Sequence, residues 1–323
     1  MNIWNDLWSY VRSDLILESA ELQADLQEEK CGETLQKDIL PVREYEKNGL
    51  LVTEIRIETQ EQARQLNRQT GNYVTIYSDG LKENDGGIHQ EAVDEVAFWI
   101  KEMLPGNVKT ILVAGLGNQT ASPDALGPDT ISHVSVNRHF GQSSVNVEVC
   151  AIVPGVMAQT GLETAGILSG VISKFKPDVL IVVDALAARS VTRLGTTIQL
   201  TDTGISPGSG IGNCRQEISP SVMGIPVIAI GIPMVVEAAS IIYETIDAIR
   251  NALRQEKQEK EAGFLGQLSR QEQYDLFREL LERKARPLYV TVKDVDEMEK
   301  RLSFTLSEAI NRAVAGMNSG SQA

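Results

Sequence analysis

The sequence predicts a three-layer α/β/α domain with a mainly parallel or mixed central sheet and smaller N-terminal and C-terminal additions. Three observations predict it. From Val108 onward the chain alternates strand, loop and helix. Its strand runs, such as Val179-Leu180-Ile181-Val182-Val183, are continuously apolar, as in strands buried on both faces. Two of these runs end in polar or glycine-rich breaks, Gly115-Leu116-Gly117-Asn118 and Asp184-Ala185-Leu186. Open α/β sheets bind ligands at such places, beyond the carboxyl ends of their strands.

The elements follow in order. Ile3, Trp4, Leu7, Trp8 and Val11 fall on one face of a helical turn, and such a face needs a groove to cover it. Residues 19–50 are polar with weak periodicity, and 51–57 and 73–77 read as strands. Residues 90–104 read as a helix with Val93, Val96, Ala97, Ile100 and Leu104 on one face, ended by Pro105-Gly106. Strands are expected at 110–115, 146–153, 179–184, 196–200 and 225–230, and helices at 126–138, 158–175 and 234–254. The charged stretch 254–262 reads as a solvated helix end or linker. A helix near 270–284, a strand near 288–292 and a helix near 294–314 complete the chain.

Composition narrows the function. The 323 residues are 42% hydrophobic and 23% charged, as in ordinary globular proteins. A formal charge of −14 argues against a general nucleic-acid binder, which needs clustered Lys and Arg. No run approaches the roughly 18 apolar residues of a membrane span. The N-terminus lacks a basic and an apolar signal region, so a cytoplasmic location is expected. Cys31, Cys150 and Cys214 are widely spaced without metal-site spacing, and read as reduced thiols.

The tripeptide Asp-Ala-Leu occurs twice, at Asp124 and at Asp184, each time near a strand end. Two such acids can meet in space and share a proton. Each alone also reads as a helix N-cap. Competing motifs are weaker. Gly115-Leu116-Gly117 lacks the third glycine of a dinucleotide loop, because position 120 is Thr120. Gly204-Ile205-Ser206-Pro207-Gly208 spells a nucleophile elbow, but Pro207 has no N–H for an oxyanion hole. His89, His133 and His139 form no zinc or triad spacing, while a carboxylate site of Asp124, Glu163 and Asp184 stays open. The stretch 155–164 reads either as a turn lining the same cleft or as a helix start with a Thr160/Glu163 capping box.

Several segments together resemble the germination protease family of spore-forming bacteria: Gly115–Asn118, Pro123–Pro128, Val153–Met157, Asp184–Arg189, Gly208–Asn213 and Ile225–Pro233. The likeness runs from Val11 to about Ala315. It implies an atypical aspartic endopeptidase, similar in fold to hydrogenase-maturation proteases, that degrades small acid-soluble spore proteins in the spore core. Asp124 and Asp184 take the positions of its two catalytic aspartates. No metal or cofactor is expected, and composition adds no membrane and no direct nucleic-acid partner. The resemblance further implies a homotetrameric zymogen that removes its own N-terminus. Family substrates are cut within Thr-Glu-Ile/Phe-Ala-Ser-Glu, and Ser13-Asp14-Leu15-Ile16-Leu17-Glu18 is similar, so self-cleavage is expected between Asp14 and Leu15. Residues 1–14 would then be a propeptide and 15–323 one peptidase domain, with a core at about 108–254 and a helical extension at about 263–315. Arg189, Arg138 and Arg193 are candidate partners for the acid before the cut, Arg189 first because it closely follows Asp184; Glu163 and Ser209 are further candidates for substrate binding. A metal-dependent maturation-type peptidase and a non-catalytic scaffold of the same fold remain the alternatives.

Overall fold

The apolar runs become the strands of one mixed sheet: β1 (Val42–Lys47), β2 (Leu50–Ile57), β3 (Gly71–Tyr77), β4 (Thr110–Gly115), β5 (Glu148–Ile152), β6 (Val179–Ala188), β7 (Thr197–Thr201), β8 (Val227–Glu237) and β9 (Tyr289–Val290). The computed structural model describes residues 13–21, 41–140, 146–211, 215–255, 270–282 and 288–319. The apolar turn expected at 3–11 and most of the charged stretch lie outside those residues. The strand order is β1-β2-β3-β7-β8-β6-β4-β5, with β9 on β8. Strands β5, β4, β6 and β8 run parallel. Strands β8, β7, β3, β2 and β1 run antiparallel. The parallel half and the antiparallel half therefore meet at β8.

Ten α-helices flank the sheet among the described residues: α1 (16–21), α2 (Gln60–Leu66), α3 (Gly86–Met103), α4 (Leu126–Ser132), α5 (Met157–Thr160), α6 (Thr164–Phe175), α7 (Pro220–Met223), α8 (Ala238–Gln255), α9 (Arg270–Glu282) and α10 (Val295–Ser319). Alternation along the strands sorts them into layers. Ile111, Val113, Ile181 and Val183 point to one face, where Val93, Val96 and Ile100 of α3 and Leu302, Leu306 and Ile310 of α10 cover them. Leu112, Ala114, Leu180 and Val182 point to the other, under Leu168 and Ile172 of α6. That second face continues over the antiparallel half, where Ile55, Ile57 and Tyr73 meet Ile16 of α1 and Ala63 and Leu66 of α2. Between the α6 cover and the α1–α2 cover lies the ground on which the functional residues stand.

Several boundaries differ from expectation, each for a physical reason. β6 does not stop at Asp184 but continues to Ala188, because β8 runs beside it as far as Val236, with a register shift after Leu186. The helix expected at 234–254 starts only at Ala238 for the same reason. The helix expected at 158–175 is two, α5 and α6, divided at Gly161 with φ +70°. The helix expected to reach 138 ends at Ser132, and Asn137 instead binds the backbone of β5 through Val147 O (3.1 Å) and Val149 N (2.6 Å). Edge strand β1 and helix α2 were not expected. α2 is opened by a capping box in which the Thr59 hydroxyl accepts from Gln62 N and the Gln62 side chain accepts from Thr59 N.

Glu299 of α10 is buried against Asp129 of α4, the helix that follows the Asp124 loop. Burial, then the charge of Asp129 and the hydrogen bond with it, push Glu299 up to about 7 from an ordinary 4.5, with Lys300 opposing. A carboxyl raised on folding binds its proton more tightly folded than unfolded. The stability it contributes is present at low pH and is lost as pH rises between about 4.5 and about 7. Glu299→Gln should flatten that decline in a melting-temperature series across pH. A decline as steep as in the parent protein would exclude Glu299 as its source.

Candidate active site

Asp124 is held by its own loop. Gly117 stands at φ +111°, and a Cβ there would lie 2.0 Å from the Asp124 carbonyl oxygen. Asn118 N donates to Asp124 O (3.0 Å) and to Asp124 Oδ2 (2.9 Å), while Asp124 N donates to Ala121 O (2.7 Å). Gly127 packs the following helix onto the strand ends, where a Cβ would meet Leu116 O at 2.3 Å and Val183 O at 2.6 Å. Gln159 of α5 closes the loop from outside, donating to Asn118 Oδ1 at 2.7 Å. The stretch 155–164 thus touches the same cleft. Thr160 and Glu163 form no capping box: the Glu163 carboxylate accepts from Gln216 N at 2.9 Å, and the Thr160 hydroxyl accepts from Leu162 N at 3.2 Å.

Asp184 sits where two strands part. β4 pairs with β6 only as far as Gly115 opposite Val183, so β6 loses that neighbour at Asp184. On its other side β8 stays paired, Asp184 opposite Gly231. The side chain is 7% exposed. Burial first, then the charge of Asp124, then that of Asp14, push Asp184 well above the carboxylate range, with Ala185 N–H and Arg215 opposing. Burial also raises Asp124, against the Asn118 N–H and Arg215. Arg215 therefore faces both acids, and its Nε is buried without a hydrogen-bond partner. Such a pair cannot ionise twice at little cost, so it retains one proton at higher pH than free carboxyls do. That is the equipment of a general acid and a general base side by side.

The edge of β6 left open by β4 is occupied by residues 13–18. Asp14 N donates to Ala187 O at 2.9 Å, and Ala187 N donates to Asp14 Oδ2 at 2.8 Å. The Ser209 hydroxyl donates to Asp14 Oδ1 at 2.6 Å, and Gly210 leaves room for that carboxylate. Glu18 accepts from Arg189 N (2.7 Å), Ser190 N (2.9 Å) and the Ser13 hydroxyl. Leu15 and Ile16, 1% and 0% exposed, anchor the segment in two apolar clusters. Burial of that kind contributes roughly 1.5–3 kcal/mol per side chain. A cavity of about 750 Å³ opens beside it, with Asp14, Arg68, Tyr73, Leu186, Gln199 and Gly231 among its walls.

The arginines singled out in the sequence lie elsewhere. Arg189 approaches Glu244 at 3.9 Å and reaches the segment through its backbone N–H. Arg193 pairs with Glu21 at 2.9 Å and lies over the Tyr77 ring. Arg138 lies over Phe175 and reaches Glu148 at 3.7 Å. Residues the sequence reading missed are Arg68, Gln199 and Arg215. Only Arg215 carries a visible signal, as the sole Lys or Arg between Arg193 and Arg250. Among the described residues no group of three or more His, Cys, Asp or Glu is placed to hold a metal ion, and no helix is long and apolar enough to cross a membrane.

Gly117→Ala should keep the fold but displace Asp124, because both the positive φ and the approach to Asp124 O exclude a Cβ. Peptidase activity is expected to fall about 100-fold, since misplacement by an ångström has that scale of effect. Activity within a factor of two of the parent would show that the loop does not hold Asp124 in place.

Comparison with known proteins gives the family of the chain. The model of the germination protease family matches residues 16–262. A germination protease of Caldanaerobacter subterraneus is 38% identical over 94% of each chain. One from Oceanobacillus iheyensis is 36% identical over 94% of each. One from Priestia megaterium is 36% identical over 96% of this chain and 95% of its own. Among solved structures, the match to the NiFe hydrogenase maturation protease HycI of Thermococcus kodakarensis covers 66% of this chain and 98% of that chain at 15% identity, with a TM-score of 0.34. The chain belongs to the germination protease family, and is a peptidase of spore germination.

Proposed function

We propose that Asp124 and Asp184 form the acid–base pair of this peptidase, and that the chain first cuts itself between Asp14 and Leu15. The observation that carries the reading is electrostatic and geometric at once: buried Asp184 feels Asp124 and Asp14 together, while Asp14 is fastened to Ala187 three residues further along the same strand. The ionised member of the pair takes a proton from a water molecule, which attacks the carbonyl carbon. The protonated member gives its proton to the carbonyl oxygen; as the intermediate collapses, the proton taken from water passes to the departing amine, and the hydroxyl proton returns to the pair. Burial favours Asp184 as the holder of the shared proton, although the two titrate as a unit. General acid–base help of this kind is worth about 10²–10⁴-fold.

Small acid-soluble spore proteins are the proposed substrates and the spore core the proposed place of action; both rest on family membership. A homotetramer rests on the same ground and is checked by sedimentation equilibrium. The acid before the cut is proposed to be received by Ser209 and the Ala187 N–H rather than by an arginine, because those groups hold the Asp14 carboxylate. The N–H groups of Arg189 and Ser190 would receive an acid four residues later, as they do Glu18. The Arg189 side chain adds charge near Glu18. Arg138, Arg193 and Glu163 have no polar contact with residues 13–18 and are not proposed as substrate contacts.

Intact mass of the parent protein, Asp124→Asn and Asp184→Asn, with and without EDTA, tests the pair. Loss of residues 1–14 in the parent only, unaffected by EDTA, is expected. Cleavage in Asp184→Asn would contradict it, and a block by EDTA would favour a metallopeptidase. For specificity, Ser209→Ala should lower the preference for an acid over its amide before the cut about tenfold, as one charge-assisted hydrogen bond is worth about 1.5–3 kcal/mol. Arg189→Gln should leave that preference intact. The opposite pattern would return the role to Arg189.

A further inference from the structure

Gln199 lies in the same row of the sheet as Asp184. Asp184 of β6 pairs with Gly231 of β8, and Gly231 pairs in turn with Gln199 of β7. Residues paired across a sheet point to one face, and two strand spacings separate the two side chains by roughly 10 Å at their bases. Gly231 between them presents no side chain, and a Cβ there would strike Leu186 at 2.5 Å. The row is therefore an acid, a glycine covered by the Leu186 side chain, and an amide.

Residues 13–16 lie across that amide. Gln199 Nε2 donates to Asp14 O at 3.0 Å, and Gln199 Oε1 accepts from Ile16 N at 2.7 Å. An amide side chain carries a donor and an acceptor side by side whatever the pH, so one residue can grip a main-chain carbonyl and a main-chain N–H together. The two gripped groups flank Leu15 and include the carbonyl of the Asp14–Leu15 peptide. Arg68 adds a second hold, its Nη2 donating to Ser13 O at 2.8 Å and to Leu15 O at 3.4 Å. Gln199 is 7% exposed, so these bonds are little challenged by water. None of the four contacts involves a side chain of residues 13–16.

We infer that Gln199, seconded by Arg68, is the positioning residue that fixes which peptide bond is presented for self-cleavage, by gripping the main chain on both sides of Leu15. The inference rests on the proposed self-cleavage at Asp14–Leu15. Ser209 and the Ala187 N–H read the acid; Gln199 reads the backbone and sets the register. When water attacks, the Asp14 carbonyl oxygen gains negative charge. The Nε2–H bond to it then strengthens without any group having to move.

The test is an intact-mass time course of self-cleavage for the parent, Gln199→Leu, Gln199→Glu, Arg68→Gln and Asp184→Asn, with thermal melting to show that each is folded. Gln199→Leu is expected to slow cleavage about tenfold to a hundredfold and to spread the cut over neighbouring bonds. Ionised at neutral pH, Gln199→Glu keeps the acceptor for Ile16 N and loses the donor to Asp14 O, so there it should cut slowly but at the single bond. Arg68→Gln should blur the site with a smaller loss of rate. A folded Gln199→Leu or Gln199→Glu protein that cuts only Asp14–Leu15 at the parent rate would overturn the inference and leave the aspartate pair standing. Cleavage by Asp184→Asn would instead remove the aspartate pair and leave the register result to be read by itself. If the parent chain is never cut at this bond, both fall.

Discussion

Burying a carboxyl group beside two others is the constraint around which the rest of this molecule is arranged. Asp184 has lost most of its water, and Asp124 and Asp14 add negative potential, against which Arg215 and one backbone N–H are the opposing influences. A charge so placed is costly, so the site keeps a proton that water would remove. Much of the local structure serves that arrangement. Glycines at 115, 117 and 127 let the Asp124 loop close directly on the strand ends. Gly231 makes room beside Asp184 for the Leu186 side chain.

The two halves of the sheet contribute different chemistry. The parallel half supplies the aspartates, because its strands stop at different heights and leave a crevice where β4 ends. The antiparallel half supplies Gln199 from β7, and Arg68 from the turn between α2 and β3. Residues 13–18 bridge the halves, with Leu15 packed beside Leu186 and Val236 and Ile16 beside Ile55 and Leu66. The segment is thus fixed by apolar burial and hydrogen-bonded along its length, so the bond proposed for cleavage is held still relative to both halves.

Much of this was legible in the sequence, for reasons that can be named. Continuous apolar runs gave the parallel strands, because burial on both faces leaves no ambiguity of period. The doubled Asp-Ala-Leu pointed to two acids near strand ends, and Ser13–Glu18 was marked by its likeness to a family substrate, without a sign of where it packs. What stayed hidden depends on long-range partners. The continuation of β6 past Asp184 is decided by β8 running alongside, not by the residues of β6. Strand β1 reads as polar because it is an exposed edge. Gln199 is one glutamine in an otherwise ordinary strand, and only the pairing through Gly231 shows it to share a row with Asp184. The expectation of an arginine for the acid came from charge and from the nearness of Arg189 to Asp184 in sequence. A carboxylate is equally well received by N–H and O–H groups, which leave no mark in sequence.

The most direct measurement of the central claim is the titration of Asp184 itself, followed by the side-chain carboxyl carbon resonance in aspartate-labelled protein. The account predicts that Asp184 holds its proton far above the ordinary carboxylate range, and that Asp124→Asn and Asp14→Asn each bring the midpoint down, Asp124→Asn further. An Asp184 that titrates as an ordinary aspartate, unmoved by either substitution, would contradict the shared proton and the mechanism built on it.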